Sequence, residues 1–168
     1  MIIGDVLLFS GGERLVDELV GFETHSKYTH AALAINESEF IEAWWGGVRN
    51  SNIEDYKKIN EGYKDITVFT PIIPLSQSQQ AKIVGYALGK IGQPFNYLQL
   101  LGFIIEKVAC LKYNPFGSKH KTVCSQLVVQ AYKQQFDIDL LPNIEDYSVA
   151  PSDLATSKLL QQERNYCH

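Results

Sequence analysis

Between His30 and Trp44 the sequence carries its clearest structural signal. His30-Ala31-Ala32-Leu33-Ala34-Ile35 is followed by the polar cluster Asn36-Glu37-Ser38 and then by Glu39-Phe40-Ile41-Glu42-Ala43-Trp44. Two strand-like runs around a short polar break predict a β-hairpin. Further strands are predicted on either side of it. Asp5-Val6-Leu7-Leu8-Phe9 is a short apolar run closed by Ser10-Gly11-Gly12, as expected of a buried strand ending in a turn. Gly46-Gly47 closes the hairpin's second strand and Val48 starts a third, while Ile66 to Phe69 is β-rich and stops at Pro71.

Helical spacing dominates the rest. Leu15, Val16, Leu19 and Val20 predict a helix over Glu13–Val20 that ends at Gly21. Ser76-Gln77-Ser78-Gln79 has the form of a capping box, opening a helix that runs to about Gly89. Gly92-Gln93-Pro94 breaks it, and a mostly apolar helix follows from Tyr97 to about Lys107. A third is expected to start at Thr122 as N-cap, with Leu127, Val128, Ala131 and Tyr132 as its buried stripe. Ser152 is read as the cap of a last short helix through about Leu160, and Glu163 to His168 as a loose tail. Strands first and helices later define an α+β class with a mainly antiparallel sheet. With no repeat or Pro/Gly/Ser-rich linker, residues 1–168 are read as one domain.

Bulk properties narrow the function. A net charge of −4 with no basic stripe argues against nucleic-acid binding. The most apolar stretch, Leu98 to Cys110, is broken by Gly102 and by Glu106-Lys107, so no transmembrane segment is expected. Met1-Ile2-Ile3-Gly4-Asp5 lacks a signal peptide's basic start, so the expected location is the cytoplasm, or export without a cleavable signal. Three cysteines, Cys110, Cys124 and Cys167, form neither a disulfide framework nor a zinc pattern, so no metal is expected.

Cys124 stands out because it falls at about the second position of its predicted helix. Unpaired amides and the positive end of the helix dipole favour a thiolate there, and the same amides can hold an oxyanion. The alternative for Cys124 is a small buried hydrophobe. Cys110 closes an apolar helix and is read as structural; Cys167 is read as a tail residue. A thiolate needs a base. His25 and His120 sit in polar segments and His168 is terminal, whereas His30 opens a strand whose alternate positions, Ala32 and Ala34, are small enough to admit a helix. Glu42 is the candidate for the third member, which orients the imidazole, because it lies in an otherwise apolar strand. A three-residue loop, Asn36 to Ser38, puts Ala32 opposite Glu42 and makes His30 and Glu42 diagonal neighbours on one face. A two-residue loop, Glu37-Ser38, puts them on opposite faces. Trp44 and Trp45, with Gly46 and Gly47, are read as walls of a substrate cleft, with core packing the alternative for one of the two.

Taken together, Gly4-Asp5-Val6-Leu7-Leu8-Phe9, Tyr28-Thr29-His30-Ala31-Ala32-Leu33, Ile41-Glu42-Ala43, Val123-Cys124-Ser125-Gln126-Leu127-Val128 and Pro151-Ser152-Asp153-Leu154 resemble the motifs of circularly permuted NlpC-like cysteine hydrolases, the YiiX-like branch. The histidine precedes the cysteine, as in that branch. The resemblance implies a papain-like fold, an antiparallel sheet packed against helices, with a triad of Cys124, His30 and Glu42. It implies a thiol hydrolase, a peptidase or amidase acting on small or cell-wall-type peptides through a thioester, with no cofactor. Relatives of the lecithin:retinol acyltransferase type imply the alternative of lipid acyl chemistry, and loss of catalysis would leave a silent binding domain. Two positions depart from the family's pattern. Gly92-Gln93-Pro94-Phe95-Asn96 stands where Gly-x-Pro-Tyr-Asp is usual, with Tyr97 the available replacement for the lost phenol in substrate binding, and Gln126 replaces an acid. The expected partner is a peptide or acyl-amide substrate; neither its identity nor the oligomeric state is written in the sequence.

Overall fold

Val6-Leu7-Leu8-Phe9 is apolar at every position, and in the computed structural model both faces of this strand are buried. The structure describes residues 1–11, 26–59, 65–95 and 123–167. The expected helices over 13–20 and 97–107 lie outside the described residues, as do Tyr97, Cys110, Thr122, His25, His120 and His168.

Among the described residues six strands form one sheet: β1 (Val6–Ser10), β2 (Tyr28–Ala34), β3 (Glu39–Trp44), β4 (Gly47–Asn52), β5 (Asp65–Pro71) and β6 (Leu160–Cys167). Their order is β4-β3-β2-β1-β5-β6, and every pairing is antiparallel. β1 is central because a continuous apolar run can be satisfied only where both faces are covered. Helices α1 (Ile53–Ile59), α2 (Gln77–Gly89), α3 (Cys124–Phe136) and α4 (Pro151–Leu154) supply the cover.

The two faces differ in their partners. On one, Val6, Leu8, Ala31, Leu33, Ile41 and Ala43 pack with Leu127, Val128, Ala131 and Tyr132 of α3 and with Ile83 and Ala87 of α2. On the other, Leu7, Phe9, Ala32, Ala34, Phe40, Ile66 and Val68 pack with Ile53 and Tyr56 of α1. This corrects one expectation. Ala32 and Ala34 do not receive the α3 helix; Ala31 and Leu33 do. The strand carries alanine on both faces, so side-chain size alone could not choose between them. A bulge adds a second twist to the pattern: Phe9 pairs with His30 but Ser10 pairs with Tyr28, leaving Thr29 as the extra residue. Tyr28 thereby turns to the face of Ala31 and joins the α3 side of the core.

The hairpin takes the register of the three-residue loop. Ala32 pairs with Glu42, Leu33 with Ile41 and Ala34 with Phe40, and Asn36 ties the turn through its side-chain oxygen to the amides of Ser38 and Glu39. The capping box of α2 is present as expected, with Ser76 and Gln79 bonding reciprocally. Three boundaries are corrected. The N-cap of α3 is Val123, without a side-chain cap, so Cys124 is the first helical residue. Helix α4 spans only four residues and is capped at Ala150, whose N–H donates to the Asp153 carboxylate at 2.8 Å; Ser152 is not its cap. Leu160–Cys167 is an edge strand on β5 rather than a tail. Its middle, Gln161-Gln162-Glu163-Arg164-Asn165, has no apolar alternation to announce a strand; main-chain pairing to β5, with Leu160 and Tyr166 packing on the two cores at its ends, recruits it.

Gly47 starts β4 at φ +118, and a Cβ there would lie 2.6 Å from the carbonyl oxygen of Gln93. The close approach lets Val48 N–H donate to Gln93 O at 2.9 Å and Gly92 N–H donate to Val48 O at 2.8 Å. Gly46 beside it has open space. Gly47→Ala should therefore cost about 1 kcal/mol or more and lower the melting temperature by about 2–4 °C or more, with Gly46→Ala close to neutral. Thermal unfolding followed by circular dichroism checks the contrast.

Candidate active site

Pleating and register assemble the centre of the site. Glu42 is flanked in register by Ala32 on β2 and Arg49 on β4, so the three share a face. Alternation along β4 puts Ser51 on that face too, and the first turn of α1 brings Tyr56 over it. His30 lies one step along the hairpin toward Trp44. Its ring packs 5.1 Å from that of Phe9 and edge-on at 5.4 Å to that of Trp44.

His30 Nε2 lies 2.7 Å from Glu42 Oε2. Glu42 has no exposed surface, and an unpaired carboxylate so placed would cost several kcal/mol. Here Oε1 accepts from Arg49 Nε at 2.8 Å and from Ser51 Oγ at 2.6 Å, and Tyr56 Oη stands 2.8 and 2.7 Å from the two oxygens. Burial by itself raises the Glu42 pKa; the hydrogen bond and charge of His30, then Arg49 and Ser51, outweigh it and bring the value down to about 2. Glu42 is thus a carboxylate, and the ring must present Nε2–H to it. That leaves Nδ1 as the ring nitrogen for the thiol.

Cys124 supplies that thiol from the first turn of α3. It is a free, half-buried cysteine that packs on the α3 side of the core and hydrogen-bonds His30. Leu127 N–H to Val123 O, at 3.1 Å, closes the first turn, so the N–H groups of Cys124, Ser125 and Gln126 have no intrahelical acceptor. Ser125 anchors the turn by donating its hydroxyl to Val149 O at 2.5 Å. Burial lowers the His30 pKa, but the charge and hydrogen bond of Cys124, followed by those of Glu42, raise it to about 10. Chemically this is a sulfur nucleophile, a ring that can take and return its proton, and amides at a helix N-terminus that can meet a developing oxyanion.

Cys124, His30 and Glu42 are thus adjacent. Trp44 is half-buried against His30, with the Arg49 guanidinium 4.3 Å over its ring, while Trp45 is exposed and lies 6.2 Å from Phe95. Arg49, Ser51 and Tyr56 were not picked out from the sequence. Arg49 and Ser51 were legible in principle as alternate positions of a strand paired to Glu42, but Tyr56 belongs to a short helix whose signals are local, Asn52 accepting the Glu54 N–H at 2.9 Å and an acidic first turn, with no long apolar stripe.

The architecture is α+β, an antiparallel sheet packed against helices in the YiiX-like, papain-type manner. The solved structure of the metalloprotein YiiX from Escherichia coli O157:H7, DUF1105, matches with a TM-score of 0.73 over 99% of this chain and 98% of that one. At 17% sequence identity the likeness is one of fold. No family model matches the sequence, and no curated protein does. Among the described residues no helix is long and apolar enough to cross a membrane.

The ionised pair has a definite pH signature. A raised His30 pKa stabilises the fold fully below about pH 6.5 and fades as pH climbs through about 10. A depressed Glu42 pKa stabilises it above about pH 4.5 and fades as pH falls through about 2. Glu42→Gln should therefore lose most stability between about pH 4.5 and 6.5, with the gap to the parent protein narrowing on both sides. Urea unfolding across pH measures this, and an NMR titration should show the His30 pKa fall in the variant.

Proposed function

We propose that the protein is a cysteine hydrolase that cleaves an amide bond, in a small or cell-wall-type peptide, with Cys124 as nucleophile, His30 as base and Glu42 as the orienting carboxylate. The observation that carries this reading is the contact of a helix-N-terminal thiol with a histidine whose other nitrogen is 2.7 Å from a buried carboxylate.

His30 Nδ1 takes the thiol proton, or already holds it with the two resting as an ion pair, and the sulfur attacks the substrate carbonyl carbon. The oxygen of that carbonyl gains the charge and is met by amides of the first turn of α3. As the tetrahedral intermediate collapses, the C–N bond breaks and His30 returns its proton to the leaving amine. The thioester is then hydrolysed: His30 draws a proton from water, the hydroxide adds to the acyl carbon, and the thiolate leaves. Glu42 keeps the imidazolium oriented throughout and stays ionised. Trp44 and the exposed Trp45 are the proposed walls for the substrate, and an apolar or sugar-bearing group suits such aromatic surfaces.

YiiX is described as a metalloprotein. In this chain both Glu42 oxygens already accept hydrogen bonds and His30 Nε2 is directed at one of them, which leaves Nδ1 and the thiol as donors. Among the described residues no group of three or more His, Cys, Asp or Glu is placed to hold a metal ion. These side chains do not fit a bound ion at this centre.

The protein is to be incubated with defined cell-wall peptides, peptide amides and acyl lipids, with products read by mass spectrometry. Cys124→Ala and His30→Ala should each lower turnover by about a thousandfold or more, and the double variant by little more, because such groups act as a unit. Cys110→Ala should stay close to the parent. Cleavage that persists in Cys124→Ala refutes the reading.

A further inference from the structure

We propose that Arg49 and Tyr56 form a positioning pair, which holds the Glu42 carboxylate in one orientation and so aims the His30 ring at Cys124. The inference rests on the hydrolase reading above and assigns roles to two residues outside the triad.

The hydrogen-bond chain can run in only one direction. Arg49 Nη2 lies 3.1 Å from Tyr56 Oη, and a guanidinium can only donate. A phenol that accepts from Arg49 turns its own proton outward, and the Glu42 oxygens stand within reach to take it at 2.8 and 2.7 Å. An ionised carboxylate can only accept, so His30 must donate Nε2–H to it. The sequence Arg49 to Tyr56 to Glu42, with His30 donating from the other side, leaves Nδ1 as the ring nitrogen that exchanges a proton with the thiol. The tautomer that a base needs is thus selected two residues away from the thiol.

Each partner contributes differently. Tyr56 is buried, its ring 5.4 Å from Phe9, 5.3 Å from Phe40 and 6.4 Å from Trp44, so the hydroxyl has little freedom to leave the carboxylate. Burial first, then the charge of Glu42, pushes its pKa far above the ordinary phenol value, and it stays a donor across the working range. Arg49 is 37% exposed at the side chain and borders a recess of about 330 Å³ with Ser51 and Tyr56. Its charge is partly screened there, so its direct bond to Glu42 is aided by the relay through the buried phenol. Trp44 beneath the guanidinium keeps its plane in place. A purely packing role for residue 56 would need only the ring, since its neighbours are aromatic. The groups facing Glu42 are His30 from β2, Arg49 and Ser51 from β4 and Tyr56 from α1, and Cys124 of α3 faces the far side of His30.

The test uses Tyr56→Phe, which keeps the ring and removes the hydroxyl, and Arg49→Gln, which removes the charge at a partly exposed position. Two readouts are taken on the full chain: the titration of the Glu42 carboxyl by carbon-detected NMR, and the rate of iodoacetamide alkylation of Cys124 at pH 7. Both variants should move the Glu42 titration upward, and both should slow alkylation by about tenfold, as a displaced catalytic group would. A Glu42 titration unmoved in Tyr56→Phe, or alkylation as fast as in the parent, overturns the proposal. If Tyr56→Phe does not fold, Arg49→Gln decides by the same pair of readouts. Neither readout needs a substrate, so a protein that hydrolyses no amide would refute the proposed activity and leave this inference standing on its own evidence.

Discussion

A carboxylate sealed from water has to be met by donors on every side, and in this protein that demand organises the middle of the sheet. Glu42 draws on three elements: His30 on β2, Arg49 and Ser51 on β4, and Tyr56 on α1. Removing one donor from such a centre leaves a buried group unsatisfied, which costs more than the bond itself was worth. The hairpin register, the outward end of β4 and the seat of α1 are therefore tied to one another. A one-residue slip of β3 would turn Glu42 to the α3 face and strand it among Leu33, Leu127 and Val128.

The same arrangement links the two faces of the sheet. His30, Ala32 and Glu42 lie on the α1 side, whereas α3 packs across Ala31 and Leu33 on the other. The first residue of α3 nevertheless meets the His30 ring near the start of β2, next to the bulge at Thr29. Apolar packing of Leu127, Val128, Ala131 and Tyr132 sets where that helix starts, and Tyr132 reaches across to bond Gly4 O. The proposed nucleophile is thus delivered by the helix-side core, and its histidine partner is held by the polar clamp on the opposite side. Neither layer could shift without disturbing the contact between them.

Local signals in the chain were good guides where a pattern is completed within a few residues. The Ser76–Gln79 capping box, the α3 stripe and the Asn36–Ser38 turn are of that kind, since caps and periodicities act over one or two turns. The sequence left two loop lengths open for the hairpin; the structure takes the three-residue one, held by Asn36, and so pairs Ala32 with Glu42. The strand at Leu160–Cys167 was not legible: its middle, Gln161 to Asn165, is polar, and an edge strand is held largely by backbone groups that every sequence possesses. The start of α3 lies one position beyond the one its cap type suggests: Thr122 is the better cap by type, yet Val123 takes the place.

By itself the sequence determined the class of fold, the presence of the hairpin that carries His30 and Glu42, and a helix opening near Cys124, because periodicity, turn chemistry and helix-end electrostatics are local. Only the tertiary structure decided which alanine face receives α3, that Tyr56 and Arg49 close over Glu42, and that His30 turns Nε2 to the carboxylate. Those outcomes depend on contacts between different elements of the fold, and they follow from the cost of burying a charge and the need to cover both faces of β1. No single stretch of chain contains either constraint.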